Sequence, residues 1–214
     1  MYKTYATKDS FMSATPASEK SINYGALTVV EHGIDYAGPD KSVWRRAIGN
    51  FDVAPLSGRT INSAKLVRRM VFIAGSPVSA RVSRCTRPAD WVESEVTWLN
   101  YKSGSAWTAG GGDYDDVTPV KVDYTEASGN GEHEITGLAA FVTDALNNRS
   151  GIVSVIMRLV EESPGVDQYY QWRAKEYGGR DRWRLVVDHS GAPIGARRER
   201  GFLRGVLRGV LRGC

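Results

Sequence analysis

Short runs of alternating apolar and polar residues recur along this chain of 214 residues. The clearest run spans residues 61–73, where Ala64, Leu66 and Met70 would share one face of an extended chain. A period of two residues is that of a β-strand. Similar runs lie at 27–30, 43–51, 78–82, 117–124, 133–136, 152–160, 168–174 and 183–188. Because turn residues separate these runs, the sequence predicts about nine or ten strands.

One segment has the spacing of a helix. Its apolar residues recur three and four positions apart from Thr136, a candidate N-cap, to Asn147, and they are Leu138, Phe141, Val142, Ala145 and Leu146. This pattern predicts a single short helix over about 137–147. Many short strands with one helix are typical of an all-β fold, and we expect two sheets packed face to face.

The basic charge of the chain lies in its last 23 residues. Residues 1–191 contain 22 basic and 23 acidic side chains, whereas residues 192–214 contain six arginines and one glutamate. We therefore divide the chain into a body, 1–191, and a basic arm, 192–214. A nearly neutral body lacks the basic face that nucleic-acid binding would need.

The sequence contains no signal for membrane insertion or export. Its longest apolar runs, such as 151–157, are far shorter than the ~20 residues of a membrane-spanning helix. The first residues lack the apolar core of a signal peptide. Cys85 and Cys214 make neither a disulfide framework nor a metal-binding spacing, so we expect two free thiols.

Two tryptophans, Trp91 and Trp98, bracket a short acidic and β-branched run. In an extended chain Val96 and Trp98 would face one way and Trp91 the other. Indole rings bury large areas, so such a pair marks either a corner of a core or a sugar-binding platform. We favour the core, because tryptophan is usually buried. The predicted core residues are Phe51, Leu66, Trp91, Val96 and Trp98.

A series of motifs extends over nearly the whole body, from about Asp9 to Asp188. The first are Asn23-Tyr24-Gly25 with Leu27, the stretch FDVAPLSGRTI at 51–61 with Ala64 and Leu66, and Trp91-Val92-Glu93 with Val96-Thr97-Trp98. The later ones are Glu134-Ile135-Thr136-Gly137-Leu138 with Phe141-Val142, Ser150-Gly151-Ile152, and Arg173-Ala174-Lys175-Glu176 before Leu185-Val186-Val187. In order and spacing the chain resembles the DNRLRE domain family.

The resemblance implies a jelly-roll β-sandwich of two antiparallel sheets without catalytic activity. Such domains are accessory carbohydrate-binding modules of secreted polysaccharide enzymes, and also occur in bacterial surface proteins and phage particles. Because this chain shows neither an export signal nor a catalytic domain, we expect a bacteriophage virion structural protein. It would be an exposed decoration or attachment module on the capsid or tail. The alternative is a stand-alone extracellular module that recognises a cell-surface or secreted polysaccharide.

The acidic residues do not identify an active site. Glycoside hydrolysis needs two carboxylates at a controlled separation, and no spacing among the acidic residues marks such a pair. We therefore predict no enzyme and no cofactor. Asp113, Asp115 and Asp116 are weak candidates for Ca²⁺ ligands, but they lack an EF-hand arrangement, and a solvated polar loop is favoured. The three histidines make no zinc spacing.

Aromatic residues in the irregular section 100–116 are the candidates for glycan binding, because flat rings stack on the apolar faces of sugars. They are Tyr101, Trp107 and Tyr114. We expect Trp107 and Tyr114 to be the most exposed, although both could instead cap the sandwich. Tyr170 and Trp172 lie in an alternating run and are assigned to the core.

The arm carries a strict four-residue repeat, GFLR-GVLR-GVLR, from Gly201 onwards. As a helix it would have a glycine stripe beside an arginine stripe, although each glycine costs ~1 kcal/mol relative to alanine. As a strand it would place glycine and leucine on one face. We expect the arm, extended or helical, to dock on other virion proteins or on copies of this chain. The docking residues are Phe202, Leu203, Arg204, Leu207, Arg208, Leu211 and Arg212.

Two other interpretations of the arm remain. It could be a disordered basic tail, or its arginines could contact nucleic acid, which would make binding steeply dependent on salt. The leucine and valine content favours packing over nucleic-acid contact.

Overall fold

The computed structural model describes residues 1–14, 17–36, 42–75, 79–87, 90–125, 129–162 and 167–191. The predicted arm, with its docking residues from Phe202 to Arg212, lies outside these described residues, as does Cys214.

The body is all-β, with one α-helix in the described residues, α1 (Ala139–Asn148). Short 3-10 turns occur at Ala17–Ser21, Ala54–Leu56 and Lys175–Tyr177. The strands are β1 (Tyr2–Ser13), β2 (Val29–Tyr36), β3 (Ser42–Asp52), β4 (Thr60–Ala74), β5 (Ser79–Cys85), β6 (Asn100–Lys102), β7 (Ser105–Ala106), β8 (Tyr114–Asp115), β9 (Lys121–Thr125), β10 (Gly131–Ile135), β11 (Ile152–Leu159), β12 (Gln168–Arg173) and β13 (Arg184–Ser190). No helix in the described part of the chain is long and apolar enough to cross a membrane.

All strand pairs in the large sheet are antiparallel, and the sheet partly closes on itself. Its order is β1-β13-β4-β12-β2-β3-β11-β5-β8, with β9 paired to β5 and β10 paired to β4. Strand β1 changes partner along its length: residues 2–5 pair with β13 and residues 6–13 pair with β3. This exchange joins β1, β13, β4, β12, β2 and β3 into a barrel-like ring, while β6 and β7 form a separate hairpin. A closed ring leaves few unpaired strand edges.

Two hydrophobic clusters fill the body. The larger contains Phe51 and Leu66, together with the buried face of α1. The smaller contains Trp91, Val96 and Trp98. All five predicted core residues are therefore buried. In the smaller cluster the indole N–H of Trp91 donates to Asn50 Oδ1 at 2.8 Å, so its only polar atom is satisfied inside the protein.

The segment between the two tryptophans is a turn, so the expected alternation over 91–98 is wrong. The N–H groups of Glu95 and Val96 both donate to the carbonyl of Val92, at 3.0 and 2.8 Å. Because the backbone folds back here, the two-residue period of a strand does not apply. Trp91 and Trp98 consequently point into the same cluster.

Helix α1 begins at Ala139, and Leu138 stands at the N-cap without a side-chain capping bond. The predicted N-cap at Thr136 is wrong because Gly137, at φ +86°, turns the chain between Thr136 and the helix. The N–H of Leu138 instead donates to the carbonyl of Ala64 on β4, at 3.0 Å. This bond sets the helix against the core, where Phe141 and Val142 are buried.

Cys85, at the end of β5, is a free and fully buried thiol. Its burial raises the pKa to about 11. At neutral pH it is therefore a neutral packing residue, since reactivity requires the thiolate.

Candidate functional site: a polar cleft beside the glycine-rich loop

An open cleft with a volume of about 510 Å³ lies where the chain leaves β5 and meets the loop between β7 and β8. One side is formed by residues that follow β5, and the other by the glycine-rich loop. The side chains that matter for its chemistry are Thr86, Arg87, Asp90, Thr108, Asp113 and Tyr114. The cleft therefore combines one aromatic ring with hydroxyl, guanidinium and carboxylate groups.

The glycines of the loop lie in close contact with Trp98. The N–H of Gly111 donates to the carbonyl of Trp98 at 2.7 Å. A Cβ on Gly110 or Gly111 would lie 2.6 Å from an atom of the Trp98 ring, and Gly111 has φ +82°. Both the space and the backbone angle at Gly111 require glycine. The loop therefore needs glycine at these positions, because a larger residue would collide with the buried ring of Trp98.

Arg46, on β3, fixes this loop from below. Its Nε and terminal nitrogen pair with the two carboxylate oxygens of Glu162 at 2.9 and 2.5 Å, and a second terminal nitrogen donates to the carbonyl of Gly111 at 3.2 Å. The guanidinium also lies 4.9 Å from the centre of the Trp98 ring. Burial opposes the charge on Arg46, but the bonds and charge of Glu162 outweigh it and raise the pKa. Arg46 therefore stays a cation and links the loop to β3.

Asp113 joins the two sides of the cleft through hydrogen bonds. Its Oδ2 accepts from Arg87 Nε at 2.7 Å, and its Oδ1 accepts from the N–H groups of Thr108 and Ala109 at 2.8 and 3.2 Å. Burial acts to raise the pKa of Asp113, but these hydrogen bonds outweigh it and lower the pKa below the ordinary value. Asp113 is therefore ionised at neutral pH and fully engaged by the protein.

The other two predicted calcium ligands are also held by basic side chains. Asp115 pairs with Arg84. Asp116 pairs with Arg81 and Arg158 and accepts from the hydroxyl of Ser83. Within the described part of the chain the three aspartates do not come together as a group that could hold a metal.

The predicted glycan-binding residues differ in their exposure. Tyr114 is half-buried and lines the cleft, with the guanidinium of Arg158 4.8 Å from its ring centre. Tyr101 is also half-buried and lies beneath Arg87, 4.5 Å from the guanidinium carbon. Both rings are therefore close to the cleft.

The expectation that Trp107 is exposed is wrong, because only 5% of its surface is accessible. Its indole N–H donates to the carbonyl of Thr97 at 3.0 Å, and its ring packs against Tyr101 with the centroids 5.5 Å apart. A tryptophan whose N–H finds an internal partner can be buried without leaving a polar group unsatisfied. Trp107 caps the smaller core cluster and supports Tyr101 from below.

The sequence does not predict four of the polar residues of the cleft: Thr86, Arg87, Asp90 and Thr108. They lie outside the regular strands, so no hydrophobic period marks them. The signal that was present is the change from the alternating run of β5 to Thr86-Arg87, opposite an acidic loop. Opposite charges on two irregular segments are a weak signal without knowledge of which segments meet.

No known protein-family model matches the sequence, and no curated protein matches it.

Proposed function

We propose that this protein is a non-enzymatic module that binds a neutral glycan in the cleft beside its glycine-rich loop. The observation that carries the proposal is the composition of the cleft. Its volume of about 510 Å³ is in the range of small-ligand sites. Arg87 supplies donors, Asp90 supplies acceptors and the threonine hydroxyls supply both. Sugar hydroxyls also donate and accept, so a glycan matches this mixture.

The charges of the cleft favour a neutral glycan over an acidic one. Its lining contains one guanidinium, on Arg87, and two carboxylates, on Asp90 and Asp113. An anionic polysaccharide would face a net negative charge, and like charges repel. Hydroxyl groups carry no such cost.

The hydrogen bonds that hold the loop in place support a binding role. Arg46 and Glu162 fix the loop from below, and Asp113 fixes its mouth. A site that is already ordered loses little conformational entropy when its ligand binds. The glycan would therefore meet a preformed surface.

The fold that accompanies this proposal is a jelly-roll sandwich of the DNRLRE kind. It is supported by the wholly antiparallel pairing of the large sheet and by the order of the sequence motifs. In antiparallel sandwiches the loops at the ends of the sheets commonly carry the binding residues.

The test is a binding screen of the full chain against neutral and acidic polysaccharides, followed by calorimetry on the hits. Tyr114→Ala should weaken binding of a neutral glycan at least about tenfold, since stacking on an aromatic ring is lost. Tyr177→Ala, an exposed tyrosine outside the cleft lining, is the matched control and should bind normally. A screen in which no neutral glycan binds would contradict the proposal.

We also propose that the module is part of a bacteriophage virion, as a decoration or attachment protein on the capsid or tail. The repeat of the arm supports this second role. Its leucines, Leu203, Leu207 and Leu211, recur every four residues with a glycine before each apolar pair. Such a segment gains stability by packing on a partner, either another virion protein or a copy of this chain. A virion module could bring its cleft to glycans on the host surface.

A further inference from the structure

We propose that Asp9, Glu93 and Glu176 form a binding site for a calcium ion, separate from the cleft. Asp9 lies on β1, Glu93 lies in the turn before β6, and Glu176 lies in the 3-10 turn after β12. One carboxylate oxygen from each lies within 4.8 Å of the others. Oxygen ligands at 2.3–2.6 Å from Ca²⁺ lie at most about 5 Å apart, so the spacing fits one ion.

Two buried carboxylate oxygens in this cluster are available to a cation. Asp9 is only 1% exposed, and its Oδ2 accepts from the N–H of Lys175 at 2.8 Å. Its Oδ1 has no hydrogen-bond partner in the described part of the chain, and the same is true of Glu176 Oε2. A buried carboxylate oxygen without a partner is costly. Both oxygens belong to carboxylates of this cluster, and a bound cation would supply a partner for an unpaired oxygen.

The charge balance of the cluster also calls for a divalent ion. Three carboxylates face one ammonium group, that of Lys175, which lies 2.9 Å from Glu93 Oε2 and pairs with Oε1 of Glu176. With all three carboxylates ionised the cluster has a net charge of −2. Lys175 pairs with Oε1 of Glu176, whereas Oε2 has no hydrogen-bond partner among the described residues.

A calcium ion here would join three segments that are distant in sequence. The turn that carries Glu93 is tied to β6, because the N–H of Val92 donates to the carbonyl of Tyr101 at 2.9 Å. The ion would therefore stabilise β1, the end of β12 and the support of the cleft together. Carboxylate ligands favour Ca²⁺ over softer metals.

Thermal unfolding of the EDTA-treated full chain, with and without CaCl₂, tests the site. At a Ca²⁺ concentration of about 100 Kd the Tm should rise by roughly 5 to 10 °C. Asp9→Asn and Glu176→Gln should abolish this rise. Asp9→Asn should still fold, because it replaces a buried charge with a neutral amide of the same shape. Asp188→Asn, an exposed aspartate on β13, is the matched control and should keep the rise.

Three results would overturn the proposal. An unchanged Tm, with no heat of binding on titration with CaCl₂, would exclude the site. A rise that persists in Asp9→Asn would place the ion elsewhere. An equal rise with MgCl₂ would refute the assignment to calcium, because Mg²⁺ requires a tighter octahedral site.

Discussion

Arg87 Nε lies 2.7 Å from Asp113 Oδ2, and this ion pair joins the two sides of the cleft. The same carboxylate also accepts the backbone N–H groups of Thr108 and Ala109. The pair therefore determines both the position of the Arg87 guanidinium and the path of the glycine-rich loop.

Asp113→Ala should lower the free energy of unfolding by about 0.5–1.5 kcal/mol, because the backbone N–H groups of Thr108 and Ala109 lose their acceptor. It should also weaken glycan binding. Asp90→Asn is the matched variant, since Asp90 lines the cleft from an exposed position. It should weaken binding while leaving stability within about 0.5 kcal/mol of the wild type. Urea unfolding measures the stability of the two variants. Equal stability of wild type and Asp113→Ala would refute the structural role of the pair.

Gly111→Ala should destabilise the protein by about 2–4 kcal/mol, through backbone strain at φ +82° and collision with Trp98. Gly104→Ala separates the two effects, because Gly104 has φ +69° but no atom within 4 Å of an added Cβ. It should cost only about 1–2 kcal/mol of strain. If urea unfolding shows the same loss of stability in the two variants, collision with Trp98 adds nothing to the cost of a side chain at Gly111.

Asp144 makes a pH-dependent contribution that connects α1 to β5. Its Oδ2 lies 2.6 Å from Arg149 Nε and 2.8 Å from a terminal nitrogen of Arg84, while Oδ1 accepts from Asn148. Burial acts to raise the pKa of Asp144, but these partners outweigh it and lower the pKa. Its contribution is therefore present above the unfolded-state pKa of ~3.9 and is lost as the pH falls through the lower folded-state value.

Asp144→Asn should accordingly lower the free energy of unfolding by about 1–3 kcal/mol at pH 7. The difference from the wild type should shrink as the pH falls below about 4. Denaturant unfolding at pH 7, 5, 4 and 3 measures this, and Asp188→Asn is the exposed control. A difference that stays constant over this range would show that ionisation of Asp144 does not stabilise the fold.

The proposed docking role of the arm can be tested by truncating the chain and measuring its incorporation into virus particles. A variant ending at Gly191 should keep the circular dichroism of the folded body but fail to enter particles. Replacing Leu203, Leu207 and Leu211 with serine should have the same effect, because packing is lost while the arginines remain. Replacing the three repeat arginines with lysine should preserve incorporation. Normal incorporation of the truncated chain would contradict a docking role.

The extent to which the sequence determines the fold differs between strands. Strand β4 was predicted at 61–73 and lies at Thr60–Ala74, because its alternation is regular. Strand β1 is not among the predicted runs, because the buried Asp9 and Ser10 interrupt its apolar pattern. The exchange of partners that closes the ring depends on contacts between distant strands. The alternation of apolar and polar residues within one strand does not predict this exchange.

The same distinction applies to the sites. Tyr101 and Tyr114 are predicted from loop composition. Tyr114 lines the cleft and Tyr101 lies beneath Arg87, whereas Trp107 is buried because Thr97 supplies a partner for its N–H. The facing pair Arg87 and Asp113 could not be predicted, since it joins two irregular segments. The cluster of Asp9 and Glu176 also had no local signal, because these residues meet only after the sheet has formed.

Backbone amide chemical shifts, recorded while a neutral oligosaccharide is titrated into the full chain, test the glycan-binding proposal most directly. The proposal predicts that the largest changes cluster at Arg87, Asp90, Thr108 and Tyr114, and saturate with a single dissociation constant. Changes centred away from the cleft, or no saturable changes for any neutral glycan in the screen, would contradict it.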